Sequence, residues 1–267
     1  MNTITEPWGA FPESLIQKIL RTPVAIGLGR GKYWRHFLYQ IWRNFGNSSK
    51  VDIMYYGLRM RFDSKDPLDR KMLFRSGMRD EAELLFLKKF ADANTTFIDI
   101  GAHYGYYSLQ AISLGYSSVV AIEPDPNVFK NLKFHVDANK LIETVNCFMV
   151  GASNTSGELH LNLENASLRN TASTNTIKVP VRPISLVLEQ AAYKRIHAFK
   201  IDIEGHEDKA LIPWLESLSD ASLPKAAVVE ICNSERWEDD VIAYMLRRGY
   251  VEEFRTRSNA CLKRVCA

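Results

Sequence analysis

The sequence is poor in cysteine, and its four cysteines form neither a CxxC pair nor a Cys/His cluster with the spacing of a zinc site. No stretch approaches the roughly 18 consecutive apolar residues that a membrane-spanning helix needs. The first residues, MNTITEPWGA, lack the basic segment and apolar core of a secretory signal. We therefore expect a cytoplasmic chain with reduced thiols and no membrane-spanning helix.

The chain as a whole also lacks a large excess of charge of one sign, because it contains 34 Lys and Arg and 31 Asp and Glu. The N-terminus differs, since residues 1–50 carry seven Lys and Arg against two Glu, interleaved with aromatic residues. Two interpretations stay open for this segment: a helix packed on the main domain with its charges in water, or peripheral contact with an anionic membrane surface or a polyanionic acceptor. We predict no nucleic-acid partner, and the sequence does not indicate the oligomeric state.

The length of 267 residues favours one large α/β domain with an extension. Residues 12–46 indicate helix, with breaks at Pro23 and around Gly27, Gly29 and Gly31. Residues 51–62 alternate as two short strands that turn near Tyr56-Gly57. We assign 1–80 to a helical and β-hairpin extension and 81–267 to the main domain.

From residue 97 onward, short apolar strands alternate with amphipathic helices, which predicts a doubly wound, mostly parallel sheet. Strands are expected at Thr96–Ile100, Val119–Glu123, Val145–Val150, Ala198–Ile203 and Ala226–Ile231. Helices are expected at Tyr106–Leu114, Pro126–Asn139, His206–Leu218 and Glu238–Arg248. Residues 157–183 instead indicate a β-hairpin with a long loop.

The segment FIDIGAHYGYYSL places a glycine turn between an apolar strand and a helix. Ligands of open α/β sheets bind beyond the carboxyl ends of the strands, so we expect a ligand at this turn. A dinucleotide turn requires G-x-G-x-x-G, but the second glycine position here is His103, whose ring argues against a pyrophosphate. The P-loop ending Gly-Lys-Ser/Thr is absent as well. The turn therefore favours a nucleoside ligand without a pyrophosphate, such as S-adenosylmethionine.

Glu123 ends the next apolar strand, in the segment VVAIEPD. It lies close to the spacing of about 20 residues at which an acidic residue takes the hydroxyls of a ribose. A carboxylate can accept hydrogen bonds from both hydroxyls at once. A surface carboxylate at a strand end is the alternative, but the combination of strand, turn, helix and acid favours a binding site that includes Pro124 and Asp125.

Three segments together resemble the FkbM-type methyltransferases: FIDIGAHYGYYSL, AIEPDPNVFKNL and FKIDIEGHEDKAL. The resemblance covers about residues 84–250, and its most specific mark is the run KxDxEGxE at 200–207. It implies a Rossmann-like class I fold and S-adenosylmethionine as cofactor. It also implies transfer of methyl groups to oxygen, often to hydroxyls of sugars, glycolipids or natural products, so we expect a small-molecule or glycan acceptor.

The resemblance also assigns residues to the cofactor site. The implied contacts at the glycine turn and the second strand are Asp99, Gly101, His103, Tyr104, Gly105 and Glu123. The segment containing Gly151 and Ser153 corresponds to the adenine or methionine side. The sequence departs from the family in two places: the family often has Asn at the position of His103, and often Leu-Asp within the segment read here as Pro183-Ile184-Ser185.

Several polar side chains of the segment AFKIDIEGH are expected at the carboxyl edge of the predicted sheet. Positioning of a hydroxyl in line with the bond that breaks is the larger part of methyl transfer. A base that removes its proton adds about 10²–10⁴-fold. Asp202, Glu204, His206 and Lys200 are the candidate catalytic residues, with Asp202 or Glu204 orienting the hydroxyl and His206 or either carboxylate as the base. A merely structural pairing of Lys200 with Glu204, and a solvent-exposed His206, are the alternatives.

Asp202, Glu230 and Asn233 would be suitable oxygen ligands for Mg²⁺, but their spacing alone is weak evidence, and we predict no metal. Two other functions stay open beside methyl transfer. One is a nicotinamide-dependent oxidoreductase, which His103 disfavours. The other is a non-catalytic nucleoside-binding protein.

Overall fold

The computed structural model describes residues 6–25, 32–75, 77–164, 166–170, 172, 175–193 and 195–265. The chain forms two compact units, residues 1–82 and 83–267. Across the described ranges, we find no helix with the length and apolar character to cross a membrane.

The described residues of the first unit form three α-helices and one hairpin. These elements are α1 (Leu15–Ala25), α2 (Lys32–Trp42), β1 (Lys50–Tyr55), β2 (Leu58–Asp63) and α3 (Pro67–Leu73). The hairpin turns at Tyr56 and Gly57, as predicted, and both residues have positive φ angles of 47° and 83°. Two successive left-handed residues form the turn type that matches the twist of paired strands.

A buried ion pair stabilises the hairpin of the first unit. Arg61 Nε donates to Asp52 Oδ1 at 2.6 Å, and both side chains are almost fully buried. Asp52 Oδ2 also accepts from the backbone N–H groups of Gly9 and Phe11, at 2.7 and 3.1 Å. The segment before α1 is thereby tied to the two strands.

The predicted break at Pro23 is wrong, because α1 continues two residues past it to Ala25. Proline at this position removes one backbone hydrogen bond of the helix, but the loss does not end the helix at residue 23. The breaks predicted around Gly27, Gly29 and Gly31 lie outside the described residues, as does Cys266.

The second unit is built on a seven-stranded sheet. Its helices, starting with one that begins at the unit boundary, are α4 (Glu81–Lys88), α5 (Tyr106–Leu114), α6 (Pro126–Ala138), α7 (Ile184–Gln190), α8 (Glu207–Glu216) and α9 (Val241–Arg247). Its strands are β3 (Thr96–Ile100), β4 (Ser118–Ile122), β5 (Val145–Phe148), β6 (Gly151–Ala152), β7 (Gly157–Asn162), β8 (Leu168–Arg169), β9 (Thr176–Arg182), β10 (Ala198–Ile201), β11 (Ala226–Glu230), β12 (Tyr250–Arg255) and β13 (Asn259–Arg264).

The strand order of the large sheet is β12-β13-β11-β10-β3-β4-β5. The five strands from β11 to β5 are parallel, whereas β13 pairs antiparallel with both neighbours. This arrangement confirms the predicted doubly wound, Rossmann-like sheet, and the helical and β extension precedes it. The strand order reverses between β3 and β10, which is where open α/β sheets bind ligands.

Helices cover both faces of the sheet. Ile98 and Ile100 pack in a core cluster that includes residues of α7, α8 and α9. Asp99 points to the opposite face, where Ser108 of α5 donates to its carboxylate. The alternation along β3 is the period-two pattern of a strand buried on both sides.

The excursion between β5 and β10 forms a small second sheet of order β6-β9-β7-β8. Strands β7 and β9 pair antiparallel from Gly157↔Val181 to Asn162↔Thr176, which agrees with the predicted hairpin. The sequence reading missed α7, β12 and β13. Their short apolar patterns carry little signal before the neighbouring strand or helix is known.

Candidate active site

The glycine turn after β3 lies directly against the end of β10. Gly101 has a φ of 79°, and a Cβ atom at this position would overlap the carbonyl oxygen of Asp202. Gly105 has a φ of 84°, and a Cβ there would lie 2.6 Å from the Leu132 side chain. Both glycines are therefore required by close packing as well as by their left-handed backbone.

Glu123, just after β4, is held against the same turn. Its Oε2 accepts from the backbone N–H of His103 at 2.9 Å, and its Oε1 accepts from that of Asp125 at 2.9 Å. Each carboxylate oxygen has a second lone pair for a further hydrogen bond. Burial raises the pKa of Glu123 to about 7, with the two backbone hydrogen bonds opposing the rise.

Asp125 and Tyr104 make contacts that shape the turn. Asp125 Oδ1 caps α6 by accepting from the backbone N–H groups of Asn127 and Val128, at 2.7 and 3.3 Å. Pro124 links this cap to Glu123. The Tyr104 carbonyl accepts from Nδ1 of the buried His135, at 2.9 Å. The sequence reading missed this role of His135, for which spacing gave no signal.

Asp99 and Lys200 are register partners on β3 and β10. Asp99 Oδ2 accepts from the Ser108 hydroxyl at 2.6 Å, whereas its Oδ1 is buried without a hydrogen-bond partner. Burial raises the pKa of Asp99, and the Lys200 ammonium lowers it. Lys200 Nζ donates to Asp202 at 2.9 Å and lies 5.0 Å from the centroid of the Tyr107 ring. Lys200 therefore pairs with Asp202, not with Glu204 as the structural alternative supposed.

The polar turn after β10, residues 202–206, is anchored by the fully buried Glu207. Glu207 Oε1 accepts from the backbone N–H groups of Ile203 and Gly205, at 2.8 and 3.3 Å. Its Oε2 accepts from the indole Nε1 of Trp237 at 2.7 Å. Burial raises the pKa of Glu207, and these three hydrogen bonds oppose the rise.

A second loop, residues 231–238 after β11, packs on this turn. Asn233 donates its amide N–H to Glu204 Oε2 at 2.8 Å. Arg236 donates to the Glu204 carbonyl at 3.0 Å, and its side chain occupies the space where a Cβ of Gly205 would lie. With the bond from Trp237 to Glu207, the loop contacts the turn at three points. Neither Arg236 nor Trp237 stood out in the sequence.

Glu204 combines backbone strain with an unusual charge environment. Its φ of 56° is left-handed, which for a residue with a side chain persists only when the surroundings enforce it. Burial, together with the neighbouring Asp202 and Glu230 carboxylates, raises the pKa of Glu204 to about 7, and the hydrogen bond from Asn233 opposes the rise. A carboxyl that titrates near neutrality in a strained turn is typical of a functional group.

His206 and Ser153 meet, although 53 residues separate them in the chain. His206 Nε2 lies 3.1 Å from Ser153 Oγ. Burial lowers the pKa of His206, so its ring is neutral at pH 7. It is half-buried, so the fully solvent-exposed alternative is wrong. Gly151 instead lies in β6, where a Cβ would be 3.0 Å from Leu168 and Val181.

Glu230 at the end of β11 is buried, and its Oε1 accepts from the Cys232 backbone N–H at 2.6 Å. Its Oε2 has no hydrogen-bond partner. Burial raises the pKa of Glu230, whereas Lys200 lowers it. Among the residues that the structure describes, no three His, Cys, Asp or Glu side chains cluster so as to hold a metal ion.

The contact between Glu207 and Trp237 gives a first testable prediction. In Glu207→Gln, an amide N–H₂ would face the Trp237 N–H, and two donors would stand opposed in a buried site. We expect a loss of about 1–3 kcal/mol in the free energy of unfolding, since each buried polar group left unpaired costs this much. Trp237→Phe should cost a similar amount, because it leaves Glu207 Oε2 unpaired. Urea unfolding measures both changes.

The double variant Glu207→Gln/Trp237→Phe removes one of the two opposed donors. Its loss of stability should therefore be smaller than the sum of the two single losses. Additive losses would show that the two side chains do not form the contact. Turnover of the Glu207→Gln variant should fall while its affinity for S-adenosylhomocysteine is unchanged, because the 202–206 turn loses its anchor and the glycine turn does not.

Comparison with known proteins now gives the family. The family model described as the methyltransferase FkbM domain matches residues 99–252, which is more than half of the chain. No curated protein sequence matches significantly.

Three solved structures are distantly similar to this chain. An rRNA methylase from Streptococcus thermophilus is 12% identical, with 71% of this chain and 100% of that chain covered and a TM-score of 0.43. TYW2 from M. jannaschii, in complex with AdoMet, is 15% identical over 83% and 89%, with a TM-score of 0.41. Precorrin-6y C5,15-methyltransferase from Geobacter metallireducens is 12% identical over 70% and 87%, with a TM-score of 0.43.

The matched range begins at Asp99 and ends at Glu252, so it contains both the glycine turn and the KxDxEGxE run. The nicotinamide-dependent oxidoreductase considered from the sequence is thereby set aside. The chain belongs to the FkbM methyltransferase family and is an S-adenosylmethionine-dependent methyltransferase.

Proposed function

We propose that this methyltransferase acts on a hydroxyl oxygen of a small-molecule or glycan acceptor, with Glu204 as the general base. One observation carries the proposal: Glu204 is held in a strained turn at the carboxyl end of β10 with a pKa of about 7. A hydroxyl needs help in losing its proton, and the ideal base titrates near the working pH. The assignment of catalysis to residues 81–267, a cytoplasmic location and the absence of a nucleic-acid partner are further parts of the proposal.

The residues around the glycine turn fit the cofactor. Gly101 and Gly105 present no side chains at the two ends of the turn, and Glu123 has lone pairs beyond its two backbone partners for the hydroxyls of a ribose. The buried Asp99 Oδ1, which has no hydrogen-bond partner, suits a cationic or hydrogen-bonding group. We propose that these residues, with His103 and Tyr104, hold the cofactor.

S-adenosylmethionine supplies, when bound, an electrophilic methyl group on a sulfonium. The residues of this chain supply the rest. Asp202, held by Lys200 at 2.9 Å, orients the acceptor hydroxyl. When bound, the cofactor would supply the methyl group to the hydroxyl oxygen and would keep the electron pair of the carbon–sulfur bond as a sulfide, while the ionised Glu204 would take the hydroxyl proton. Asn233 keeps the Glu204 carboxyl oriented through its amide.

The chemistry of the product tests the oxygen assignment. The enzyme is incubated with S-adenosylmethionine carrying a carbon-13 methyl group and with pools of sugars, glycolipids, hydroxylated metabolites, amines and RNA. We expect label only in hydroxylated acceptors, and the carbon-13 chemical shift separates O-methyl from N-methyl products. Glu123→Ala is the control. Because this variant lacks the carboxylate proposed to bind the ribose hydroxyls, it should bind S-adenosylhomocysteine weakly in calorimetry and form no product.

An N-methyl product, or label in RNA alone, would contradict the oxygen acceptor while leaving the cofactor assignment intact. Tight cofactor binding without transfer to any pool would instead favour the non-catalytic nucleoside-binding protein. Equal binding by Glu123→Ala and the parent chain would remove Glu123 from the cofactor site.

A further inference from the structure

The first unit exposes apolar side chains on two helices. On α1, Leu15 is 73% exposed and Ile19 is 60% exposed, and Ile16 beside them is also exposed. On α2, the exposed rings of Trp34 and Phe37 stack with their centroids 5.6 Å apart. These five residues are called here the apolar surface of the first unit.

The helix α1 buries the polar Gln17 and exposes the aliphatic Leu15, Ile16 and Ile19. Gln17, which is 2% exposed, donates its amide N–H to the Trp42 carbonyl at 3.5 Å and accepts from the Ser14 backbone N–H. Leu15 and Ile19 lie on the other side of the helix, one turn apart. A surface helix normally places these residue types the other way round, so this orientation indicates an apolar partner outside the unit.

The helix α2 has both buried and exposed aromatic side chains. Tyr39 and Trp42 are buried, and Phe74 contacts both rings at centroid distances of 5.7 Å. Trp34 and Phe37 face outward. Some aromatic side chains of the N-terminal segment therefore belong to the core of the first unit, and others are exposed.

The segment that carries the apolar surface has charge of one sign in its sequence. From Ser14 to Lys50 the sequence contains seven Lys and Arg and no Asp or Glu. Lys18 and Arg43 are exposed, and Arg21 is paired with Glu13, which precedes this range. Basic side chains next to exposed aliphatic and aromatic side chains suit a lipid bilayer, whose headgroups are anionic and whose interior is hydrocarbon.

We propose that the apolar surface of the first unit docks onto an anionic lipid membrane, with its aliphatic and aromatic side chains in the headgroup region. A symmetric contact with a second copy is disfavoured, because it would oppose two basic segments that carry no acid. A nucleic acid would satisfy the charges, and bases would stack on Trp34 and Phe37, but it would leave Leu15, Ile16 and Ile19 in water. This inference does not depend on the acceptor of the methyl group.

The test uses sedimentation of the full chain with vesicles of phosphatidylcholine alone or with added phosphatidylserine. We expect binding that requires phosphatidylserine and weakens as salt is raised. Leu15→Ser/Ile19→Ser should lower vesicle affinity by at least about tenfold, since each removes aliphatic carbon from the contact. Trp34→Ser/Phe37→Ser, on the other helix, should do the same.

The matched control is Leu85→Ser/Ile142→Ser, which changes the same residue types at 57% and 59% exposure in the second unit. It should leave vesicle binding unchanged, and all variants should keep the parent affinity for S-adenosylhomocysteine. The proposal fails if the parent chain does not bind anionic vesicles, or if the control loses binding equally. It also fails if Leu15→Ser/Ile19→Ser instead dissociates a dimer in analytical ultracentrifugation, or abolishes binding to single-stranded RNA without affecting vesicles.

Discussion

Gly101→Ala is expected to abolish cofactor binding and to lower the free energy of unfolding by about 4 kcal/mol or more, the range reached by severe packing and strain defects. Two effects add at this position. The φ of 79° costs a residue with a side chain about 1–2 kcal/mol. The new Cβ would also overlap the Asp202 carbonyl oxygen, which is backbone and cannot turn aside. The glycine turn and β10 would have to separate at the point where the site is built.

Gly249→Ala separates the two effects. Gly249 has a φ of 82°, and a Cβ at this position would meet nothing within 4 Å. Its loss of stability should therefore be about 1–2 kcal/mol, the cost of the left-handed backbone alone. Urea unfolding and calorimetry with S-adenosylhomocysteine measure both variants. Equal losses in the two would show that the close approach of residue 101 to Asp202 is not what constrains this turn.

Glu204→Gln is expected to lower kcat by about 10²–10⁴-fold, the contribution of a general base. The amide cannot take a proton from the acceptor, although it keeps the size of the side chain. Cofactor affinity should stay near the parent value, because the cofactor residues lie on the glycine turn and after β4. Single-turnover measurements with a labelled acceptor report the chemical step without product release.

The pH dependence identifies the base. Only the ionised carboxylate accepts a proton, and the pKa of Glu204 is about 7, so kcat should rise with pH through neutrality and level off above it. Glu204→Gln should lose this inflection. A base at His206, whose pKa burial lowers, would give an inflection below its ordinary value instead. His206→Gln is the control, and the role of Glu204 would be refuted if that variant alone lost the inflection.

Much of the large sheet was predictable because its signals are local. Strand β3 was predicted as Thr96–Ile100 and α5 as Tyr106–Leu114, and the structure has the same bounds for both. Helix α9 begins at Val241, three residues after the predicted start, because the Asp240 side chain caps it. The predicted α8 also began early, at His206, since the 202–206 turn continues to that residue.

The site was predictable only in part. The sequence indicated that Asp202 and Glu204 lie at the carboxyl edge of the sheet, but the strand ends at Ile201, two residues before the predicted Ile203, so both residues belong to the turn that follows it. It did not indicate that Glu207 turns inward, or that Trp237 donates to it across 30 residues. Spacing describes one strand or helix at a time, whereas this contact depends on how the loops after β10 and β11 pack together.

By itself, the sequence determined the alternation of strands and helices, the glycine turn and the family, because periodicity and motif spacing are properties of short segments. Only the tertiary structure decided which acidic side chains are structural and which have a pKa near neutrality. The Asp125 side chain caps α6, the Glu207 side chain anchors the 202–206 turn, and the Glu204 carboxyl has a pKa of about 7. The physical reason is that burial, neighbouring charge and hydrogen-bond partners set the behaviour of a carboxylate, and all three come from segments distant in the chain.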